Sequence, residues 1–363
     1  MQAWDVIIVG GGPSGTSTAL HLSHRDPSWG ARTLILEKAR YPRPKLCGGG
    51  VTEYGTKCLE RIGLDLHDIP NVPIDELRMV RGKYQGSFRQ GHGLTIIRRD
   101  QLDAWLASKA SDRGVKIHEG ETVLDVETQA GGVRVKTDRG EYEARVLVAA
   151  DGSNGLTRRR LGLEDKERVG RAMEILTPAD DPGSRKIFED RTAVFDFSAS
   201  VDGLQGYYWD FPCWVDGRPH LNRGVYDART SPERARADLK AIFGAALAER
   251  GLDINSIQLM GHPIRWYEPR GRFSLPRVLL VGDNAGADPL IGEGIAFALG
   301  YGDIASAAII DAFARRDFSF RDYGRRITES EYGEVLETRW VQARQLYRHK
   351  NPMIVPMFSL RRT

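Results

Sequence analysis

Residues 6–15, VIIVGGGPSG, are the segment that most constrains the fold. An apolar run at residues 6–9 suits a buried parallel strand, and Gly10, Gly12 and Gly15 follow it in the order G-x-G-x-x-G. In that order the first glycine permits a tight turn, the second lets a pyrophosphate approach the backbone, and the third lets helix and strand pack closely. The free N–H groups and the dipole of a helix that starts there favour phosphate.

A second apolar run ends in an acid. Residues 33–37 read TLILE, so Glu37 stands where it can accept hydrogen bonds from the two hydroxyls of a ribose. A glycine-rich turn in an ordinary α/β protein would account for the glycines alone. Strand, glycines, helix, second strand and acid together favour a Rossmann-like dinucleotide-binding domain.

Composition is typical of a globular enzyme. The chain has 363 residues, 41% of them hydrophobic and 28% charged, enough for a large core divided between two domains. The net charge of +3 is small and no basic stripe alternates with aromatics, so no nucleic-acid partner is expected. The three cysteines, Cys47, Cys58 and Cys213, lack C-x-x-C spacing and fit a reducing cytosol. No His, Cys and Asp cluster has the spacing of a metal site.

Location is expected to be cytoplasmic. The chain enters its first strand almost at once, which leaves no room for a signal peptide. The most apolar long stretch, residues 291–314, contains three acidic residues and is therefore not expected to span a membrane.

Two later motifs repeat the pattern of a strand that runs into an Asp. Residues 146–152 read VLVAADG, and residues 278–294 read VLLVGDNAGADPLIGEG. Asp151 and Asp283 are each expected to place a carboxylate near a ribityl chain or a ribose. The glycine-rich loop at residues 286–294 is expected to direct backbone N–H groups at a phosphate or a flavin ring, since the next helix points its positive end inward.

Three further stretches carry a family resemblance. Residues 41–50 read YPRPKLCGGG, residues 99–106 read RDQLDAWL, and residues 207–212 read YYWDFP. With the glycine motifs, they make the chain similar, from residue 1 to about 320, to the geranylgeranyl reductase family of FAD-dependent oxidoreductases, which have a p-hydroxybenzoate hydroxylase-like fold. It departs from the family pattern at Leu102, usually Phe, and at Leu204, often Pro.

The resemblance implies an α/β fold with a Rossmann-like FAD-binding domain, an inserted antiparallel-sheet substrate domain and a C-terminal helical tail. The FAD-binding domain is expected at residues 1–75, 99–165 and 265–320, the substrate domain at 76–98 and 166–264, and the helical segment at 321–363. A helix is predicted over residues 231–250.

FAD is the cofactor that the resemblance implies. No second glycine fingerprint is present, so NADPH or another external reductant is expected to bind transiently, or electrons come from another protein. The residues predicted to bind FAD are Gly10, Gly12, Pro13, Ser14, Gly15, Glu37, Lys38, Arg43, Lys45, Cys47, Gly48, Gly49, Arg99, Asp151, Gly152, Gly282, Asp283, Gly292, Gly294 and Ile295.

Cys47, Tyr207 and Trp209 are the predicted catalytic residues. A cation such as Arg43 or Lys45 is expected to lower the pKa of the Cys47 thiol. The thiol would donate a proton after hydride transfer or gate the position of the flavin ring, whereas outside this motif a free cysteine is often a small buried residue. His262 is expected to be structural.

The aromatic stretch alternates along a predicted strand. Tyr207, Trp209 and Phe211 would share one face and, with Pro212, form an apolar wall against an isoprenoid substrate. Core packing between the sheet and the flavin domain is the competing interpretation.

Three functions remain open. The first is an FAD-dependent reductase that saturates C=C bonds of a geranylgeranyl or other polyprenyl group. The second is a flavin-dependent monooxygenase or halogenase of the same fold, and the third is a non-enzymatic flavoprotein. Residues 351–360 are apolar and lie between basic groups, so they are expected either to make a peripheral membrane contact or to pack on the body of the protein.

Overall fold

The N-terminal glycine motif lies at the centre of a parallel sheet in the computed structural model, which describes residues 2–89, 93–163, 169–256 and 259–348. The strands are β1 (Gln2–Val9), β2 (Thr33–Glu37), β3 (Gly50–Thr52), β4 (Asn71–Pro73), β5 (Glu76–Arg81), β6 (Tyr84–Arg89), β7 (Leu94–Ile97), β8 (Lys116–Glu119), β9 (Val123–Thr128), β10 (Val133–Thr137), β11 (Glu141–Ala149), β12 (Val169–Pro178), β13 (Thr192–Asp196), β14 (Gly206–Val215), β15 (Arg218–Asp227), β16 (Met260–Arg265), β17 (Ser274–Leu275) and β18 (Val278–Leu280). The helices are α1 (Pro13–Arg25), α2 (Glu53–Glu60), α3 (Arg99–Asp112), α4 (Leu156–Arg160), α5 (Pro182–Glu189), α6 (Leu239–Ala248), α7 (Ile295–Arg315), α8 (Tyr323–Thr328) and α9 (Glu331–Arg348).

The first sheet has the order β17-β18-β11-β1-β2-β8, with β10 also paired with β11 and β9 paired with β10. β1 pairs in parallel with both β2 and β11, and β11 pairs in parallel with β18. Residues 6–9 are buried, as a central strand covered on both faces requires. The four strands that end in the predicted glycine or acidic motifs, β18, β11, β1 and β2, are therefore neighbours, and their carboxyl ends meet at one edge.

Gly10 and Gly15 perform the two steric roles expected of them. Gly10 has φ +104°, a left-handed conformation, and a Cβ there would overlap the carbonyl of Ala150. A Cβ on Gly15 would overlap the carbonyl oxygen of Gly10. The turn and the close approach of α1 to β1 thus both need glycine.

A seven-stranded sheet forms the second layer, in the order β16-β12-β15-β14-β13-β5-β6. The expected fold is confirmed, with two differences in the sheets. β13 pairs with β5 in parallel, because four strands of the first sheet separate these two strands in the chain and no hairpin constrains their direction. β7, expected within the same sheet, pairs instead with β3 and β4 in a separate three-stranded sheet.

The helix predicted over residues 231–250 is shorter in the structure. It begins only at α6, after Asp238, whose carboxylate accepts a hydrogen bond from the Ala241 amide at 3.0 Å and so caps the first turn. Pro232 lies in the irregular segment before it. The apolar spacing starts at Ala235, so the sequence predicted a helix that begins before the residue that caps it.

The C-terminal helix α9 is attached to the loop that precedes α7. The Arg339 guanidinium lies 2.8 Å from Asp288 and 2.6 Å from Glu293, and the Tyr347 hydroxyl donates to the Leu290 carbonyl at 2.8 Å. Burial raises the pKa of Asp288, and Arg339 opposes that shift. The predicted apolar tail at residues 351–360 lies outside the described residues.

Helix α7 is the only helix in the described ranges that is long and apolar enough to cross a membrane. Its most apolar window is 72% buried within the protein, where it packs against α1 and α2. It is therefore a core helix, as the acidic residues in its sequence indicated.

Candidate active site

A cavity of about 810 Å³ is lined by residues from both large sheets. It brings together most of the residues that the motifs had singled out, although they come from six separate stretches of chain. The predicted residues that line it are Gly10, Gly12, Pro13, Ser14, Glu37, Lys38, Arg43, Lys45, Cys47, Gly48, Gly49, Arg99, Asp151, Gly152, Tyr207, Trp209, Phe211, Asp283, Gly292, Gly294 and Ile295.

Three predicted residues lie outside the cavity lining. Gly15 lies at the contact of α1 with β1, and Gly282, with φ +59°, lies where a Cβ would collide with the Ser14 side chain. Pro212 was expected in the substrate wall, but the alternation of side chains along β14 turns it away from the face of Phe211. That expectation was wrong for Pro212.

The cavity end next to the glycine turn is strongly basic. A Cβ on Gly12 would lie 3.7 Å from an Arg43 guanidinium nitrogen and 3.8 Å from one of Arg99, so the space above this glycine faces two cations and the N-terminus of α1. Asp103, fully buried, accepts hydrogen bonds from Arg99 at 2.8 and 3.0 Å and lies 3.0 Å from Arg43. This cradle fits a pyrophosphate.

Asp103 is a residue that the motif search missed. It fixes both guanidiniums and has no water contact of its own. The available signal was its i,i+4 spacing from Arg99 within a predicted helix, which places the two side chains side by side.

Glu37 is oriented by its own backbone surroundings. Its carboxylate accepts hydrogen bonds from the amides of Gly11 and Ala39, each at 2.9 Å, and it lines the cavity near the cradle. The carboxylate therefore has a fixed direction before any ribose binds, which suits the role that the β2 motif predicted.

The two Asp residues at the strand ends differ in their partners. Asp151 accepts from the Thr157 amide at 2.9 Å and from the Asn284 amide group at 2.6 Å, so its oxygens already stabilise the start of α4. Asp283 accepts one bond, from the Ser153 hydroxyl at 3.0 Å. Asp283 is thus the better placed of the two to accept hydrogen bonds from a ligand in the cavity.

Cys47 is held by a short relay of hydrogen bonds. The side-chain amide of Asn222 donates to the Cys47 carbonyl at 2.9 Å, and the Trp209 indole donates to Asn222 at 2.8 Å. The Gly49 amide also donates to the Cys47 sulfur at 3.4 Å. Asn222 therefore fixes the cysteine loop against the aromatic strand, a link between β15 and residue 47 that no local pattern reveals.

The expected decrease in the thiol pKa is wrong. Burial raises the pKa of Cys47, and the nearby Arg99 guanidinium only partly opposes that shift. Lys45 and Arg43, the cations expected to lower it, are directed at His262 and at Asp103 instead. The thiol is therefore protonated at neutral pH, which is the form a proton donor needs.

Glu174 lies buried near Cys47 and was not predicted. Burial raises its pKa to about 7, and one of its carboxylate oxygens has no hydrogen-bond partner among the described residues. The Cys47 amide and Asn222, followed by the Arg99 and Arg98 guanidiniums, favour its charged form.

Stability should depend on pH through Glu174. The unfolded carboxyl ionises near its ordinary pKa of 4.5, whereas the folded one holds its proton to about 7, so the folded state becomes less stable as pH rises through this window. We expect the loss to approach about 3 kcal/mol above pH 7 and to vanish in Glu174→Gln. Denaturant unfolding of both proteins at pH 5 and pH 8 measures it, and equal pH dependence in the two would contradict the assignment.

Lys45 and His262 form a pair inside the cavity. The Lys45 ammonium nitrogen lies 2.8 Å from His262 Nε2. Burial, reinforced by Lys45, lowers the pKa of His262 to about 4, and burial, reinforced by Arg99, lowers that of Lys45 to about 8. A neutral imidazole thus accepts from a lysine that loses its proton easily, so His262 faces the site rather than serving only the fold.

The aromatic wall has the predicted alternation. Tyr207, Trp209 and Phe211 are buried on one face of β14 and line the cavity, with ring centroids 6.1 Å apart along the strand. The Tyr207 hydroxyl donates to the Ile291 carbonyl at 2.6 Å, which attaches the wall to the loop before α7. A Cβ on Gly48 would lie 3.1 Å from the Phe211 ring, so the cysteine loop abuts the wall.

The residues present fit FAD. The cradle above Gly12 suits its pyrophosphate and Glu37 suits its ribose, and Asp283 lines the same cavity with a carboxylate that can accept hydrogen bonds from the chain that leads to its ring. In the described part of the chain, no three His, Cys, Asp or Glu side chains are grouped to hold a metal ion.

Comparison with known proteins identifies the family. The FAD-binding domain family matches residues 3–300. Digeranylgeranylglycerophospholipid reductase 2 of Methanopyrus kandleri is 28% identical, over 92% of this chain and 84% of that protein. The menaquinone reductase of Mycolicibacterium smegmatis is 28% identical, over 83% of this chain and 75% of its own length.

Solved structures show the same fold. A geranylgeranyl bacteriochlorophyll reductase-like protein from Thermoplasma acidophilum superimposes with a TM-score of 0.79 at 23% identity, covering 96% of this chain and 89% of that one. The flavin-dependent halogenase CmlS gives 0.69 at 22% identity, over 95% and 64%. With its cradle, acid and glycine turns in place, the chain belongs to the FAD-binding domain family and is an FAD-dependent oxidoreductase that resembles geranylgeranyl reductases.

Proposed function

We propose that the protein is a reductase that saturates carbon–carbon double bonds of a geranylgeranyl or other polyprenyl group. One observation carries this function: a protonated thiol, Cys47, lies on a loop that abuts an apolar aromatic wall inside the cofactor cavity. Bound FAD, once reduced, supplies the hydride. The relatives named for a digeranylgeranyl lipid and for menaquinone support a large apolar substrate.

The residues of the chain then have separate tasks. Tyr207, Trp209 and Phe211 hold an extended hydrocarbon flat and keep water from the reacting carbons, since their face offers no free polar group: the Tyr207 hydroxyl and the Trp209 indole are both used in hydrogen bonds. Saturation adds a hydride to one carbon of the double bond and a proton to the other, and the Cys47 thiol holds that proton. Asn222 positions both groups through the bonds described above.

Proton and electron supply complete the proposed function. Lys45 and His262 reach the cavity from its polar side and are suited to return a proton from solvent, because a lysine with a pKa of about 8 exchanges readily near neutral pH. The electrons come from NADPH or another external reductant that binds transiently. We further propose a cytoplasmic enzyme that contacts the membrane peripherally to reach its lipid.

The experiment is an anaerobic single-turnover assay. Protein reduced with dithionite is mixed with geranylgeranyl lipids, and we expect mass spectrometry to show products heavier by two hydrogens per reduced bond, with flavin reoxidation at the same rate. A hydroxylated or halogenated product, formed only in air with oxygen consumed, would instead indicate a monooxygenase or halogenase. A flavin that no donor reduces would indicate a non-enzymatic flavoprotein.

A further inference from the structure

One edge of the seven-stranded sheet projects into solvent. β6 is its last strand, and all six of its residues are exposed. Tyr84 is 71% and Phe88 48% exposed, and Val201, in the neighbouring 3-10 helix Ser198–Asp202, is 62% exposed. These are the three most exposed large hydrophobic side chains in the described part of the chain. The Gly82 amide donates to Ser198 at 2.7 Å and so joins the 3-10 helix to the hairpin tip.

The exposed edge continues the face that lines the cavity. Cross-strand partners share a face of a sheet. Trp209 partners Phe195, and Phe195 partners Met79. On the last two strands, Leu77 partners Phe88, and Arg81 partners Tyr84. The apolar face therefore runs from the aromatic wall through Phe195 to Met79 and Leu77 on β5, and reaches the solvent-exposed edge at Phe88, with Gly86 opposite Met79 and Arg81 opposite Tyr84.

The same edge is basic. The β5–β6 hairpin carries four basic side chains, Arg78, Arg81, Lys83 and Arg89, and one acid, Glu76. Glu76 is paired with Arg78 at 3.1 Å, and Asp190 lies near Arg89, which leaves Arg81 and Lys83 unmatched within the hairpin; Asp202 is the acid on the adjoining 3-10 helix. The Lys83 ammonium lies 5.5 Å from the Tyr84 ring centroid, so charge and aromatic surface lie side by side.

We propose that this basic-aromatic edge, residues 76–89 with 198–202, docks the protein on the surface of an anionic lipid membrane, and that the apolar face is the route of a polyprenyl chain into the cavity. Exposed rings flanked by Lys and Arg suit the boundary between headgroups and acyl chains, where apolar burial and attraction to anionic lipid act together. The route rests on the proposed function; docking does not.

The test is co-sedimentation of the full chain with vesicles. We expect binding to phosphatidylcholine mixed with phosphatidylglycerol and little to phosphatidylcholine alone. Each Lys or Arg near an anionic surface contributes roughly fivefold in partition. Arg81→Glu with Lys83→Glu should therefore weaken binding by more than about tenfold, and Tyr84→Ser with Phe88→Ser should weaken it on the order of tenfold.

The matched control lies at the opposite edge of the same sheet. Met260 is 42% and Leu176 38% exposed, so Met260→Ser with Leu176→Ser also removes two exposed apolar side chains and should leave binding unchanged. Unaltered FAD content and melting temperature show that each variant is folded. Equal binding by all variants, no binding of the wild type to either vesicle, or self-association of the chain through β6 in place of vesicle binding would overturn the docking role.

An activity assay separates docking from the proposed function. Arg81→Glu with Lys83→Glu, which changes charge and leaves the apolar side chains of the route in place, should reduce a detergent-dispersed polyprenyl lipid as the wild type does, and should lose most activity on the same lipid embedded in anionic vesicles. If the variants weaken vesicle binding as expected but even the wild type reduces no lipid in either format, the proposed reductase function is contradicted and the docking role stands. Full reduction of vesicle-embedded lipid by the variants would contradict the route.

Discussion

Gly12→Val should yield a folded, colourless protein that takes up no FAD. A side chain at this position would stand in the space that two guanidiniums and the start of α1 surround, where the pyrophosphate is expected to lie. The backbone itself tolerates the change, because Gly12 has φ −76° and the nearest atoms to a new Cβ are 3.7 Å away. The absorbance ratio of flavin to protein, before and after incubation with FAD, measures the loss.

The absence of steric conflict at Gly12 makes this substitution diagnostic. At Gly10 or Gly15 a side chain would collide with backbone, so loss of FAD there would not distinguish unfolding from a blocked site. Gly131→Val is the matched control, since no atom lies within 4 Å of a Cβ at that position, and it should remain yellow. A Gly12→Val protein with a full complement of FAD would place the pyrophosphate elsewhere.

Cys47→Ser should keep its FAD and lose turnover by about 10²–10⁴-fold, the usual contribution of general acid catalysis. Serine is nearly the size of cysteine, so the Asn222 contact to the residue 47 carbonyl should survive. A hydroxyl is a far weaker acid than a thiol, even one whose pKa burial has raised. Single-turnover reoxidation of the flavin by substrate measures the chemical step apart from reduction by the donor.

Cys58→Ser is the control for that substitution. Cys58 is fully buried on α2, with its sulfur 3.4 Å from His21 Nε2, and takes no part in the cavity. Its replacement should cost some stability and leave the rate per bound flavin unchanged. Equal rates for wild type, Cys47→Ser and Cys58→Ser would show that Cys47 is only a packing residue of the cysteine loop.

The parts of the fold that follow from short segments could be predicted from the sequence. The first strand, the glycine turn, Glu37 and the alternation of Tyr207, Trp209 and Phe211 each depend on neighbours within a few residues. The prediction of a helix over residues 231–250 was wrong about where the helix begins. Its apolar spacing already starts before the Asp238 cap, and a local pattern alone does not choose among possible first residues.

The rest of the candidate site depends on contacts that are distant in sequence. Asn222 meets Cys47 only because β15 lies beside β14, and His262 meets Lys45 only because β16 is at the edge of the second sheet. The pKa direction of Cys47 was wrong because charge proximity was inferred from neighbouring residues, whereas burial, a property of the whole fold, decides it. The prediction for Pro212 was wrong because this residue directly follows Phe211, and successive side chains on a strand point to opposite faces.

The contacts of α9 with the loop before α7 also have a consequence for the biosynthesis of the protein. Ribosomes release a chain from its N-terminus, so the glycine turn emerges early. Its strand β1, however, pairs with β11, which begins at residue 141, and the loop before α7 is held by Tyr347 on α9. The loop before α7 thus lacks its partner on α9, with Asp288 and Glu293 not yet paired with Arg339, until α9 has been synthesised. We therefore expect FAD to be held firmly only after α9 has emerged, and chains cut short before α9 should retain less of the cofactor.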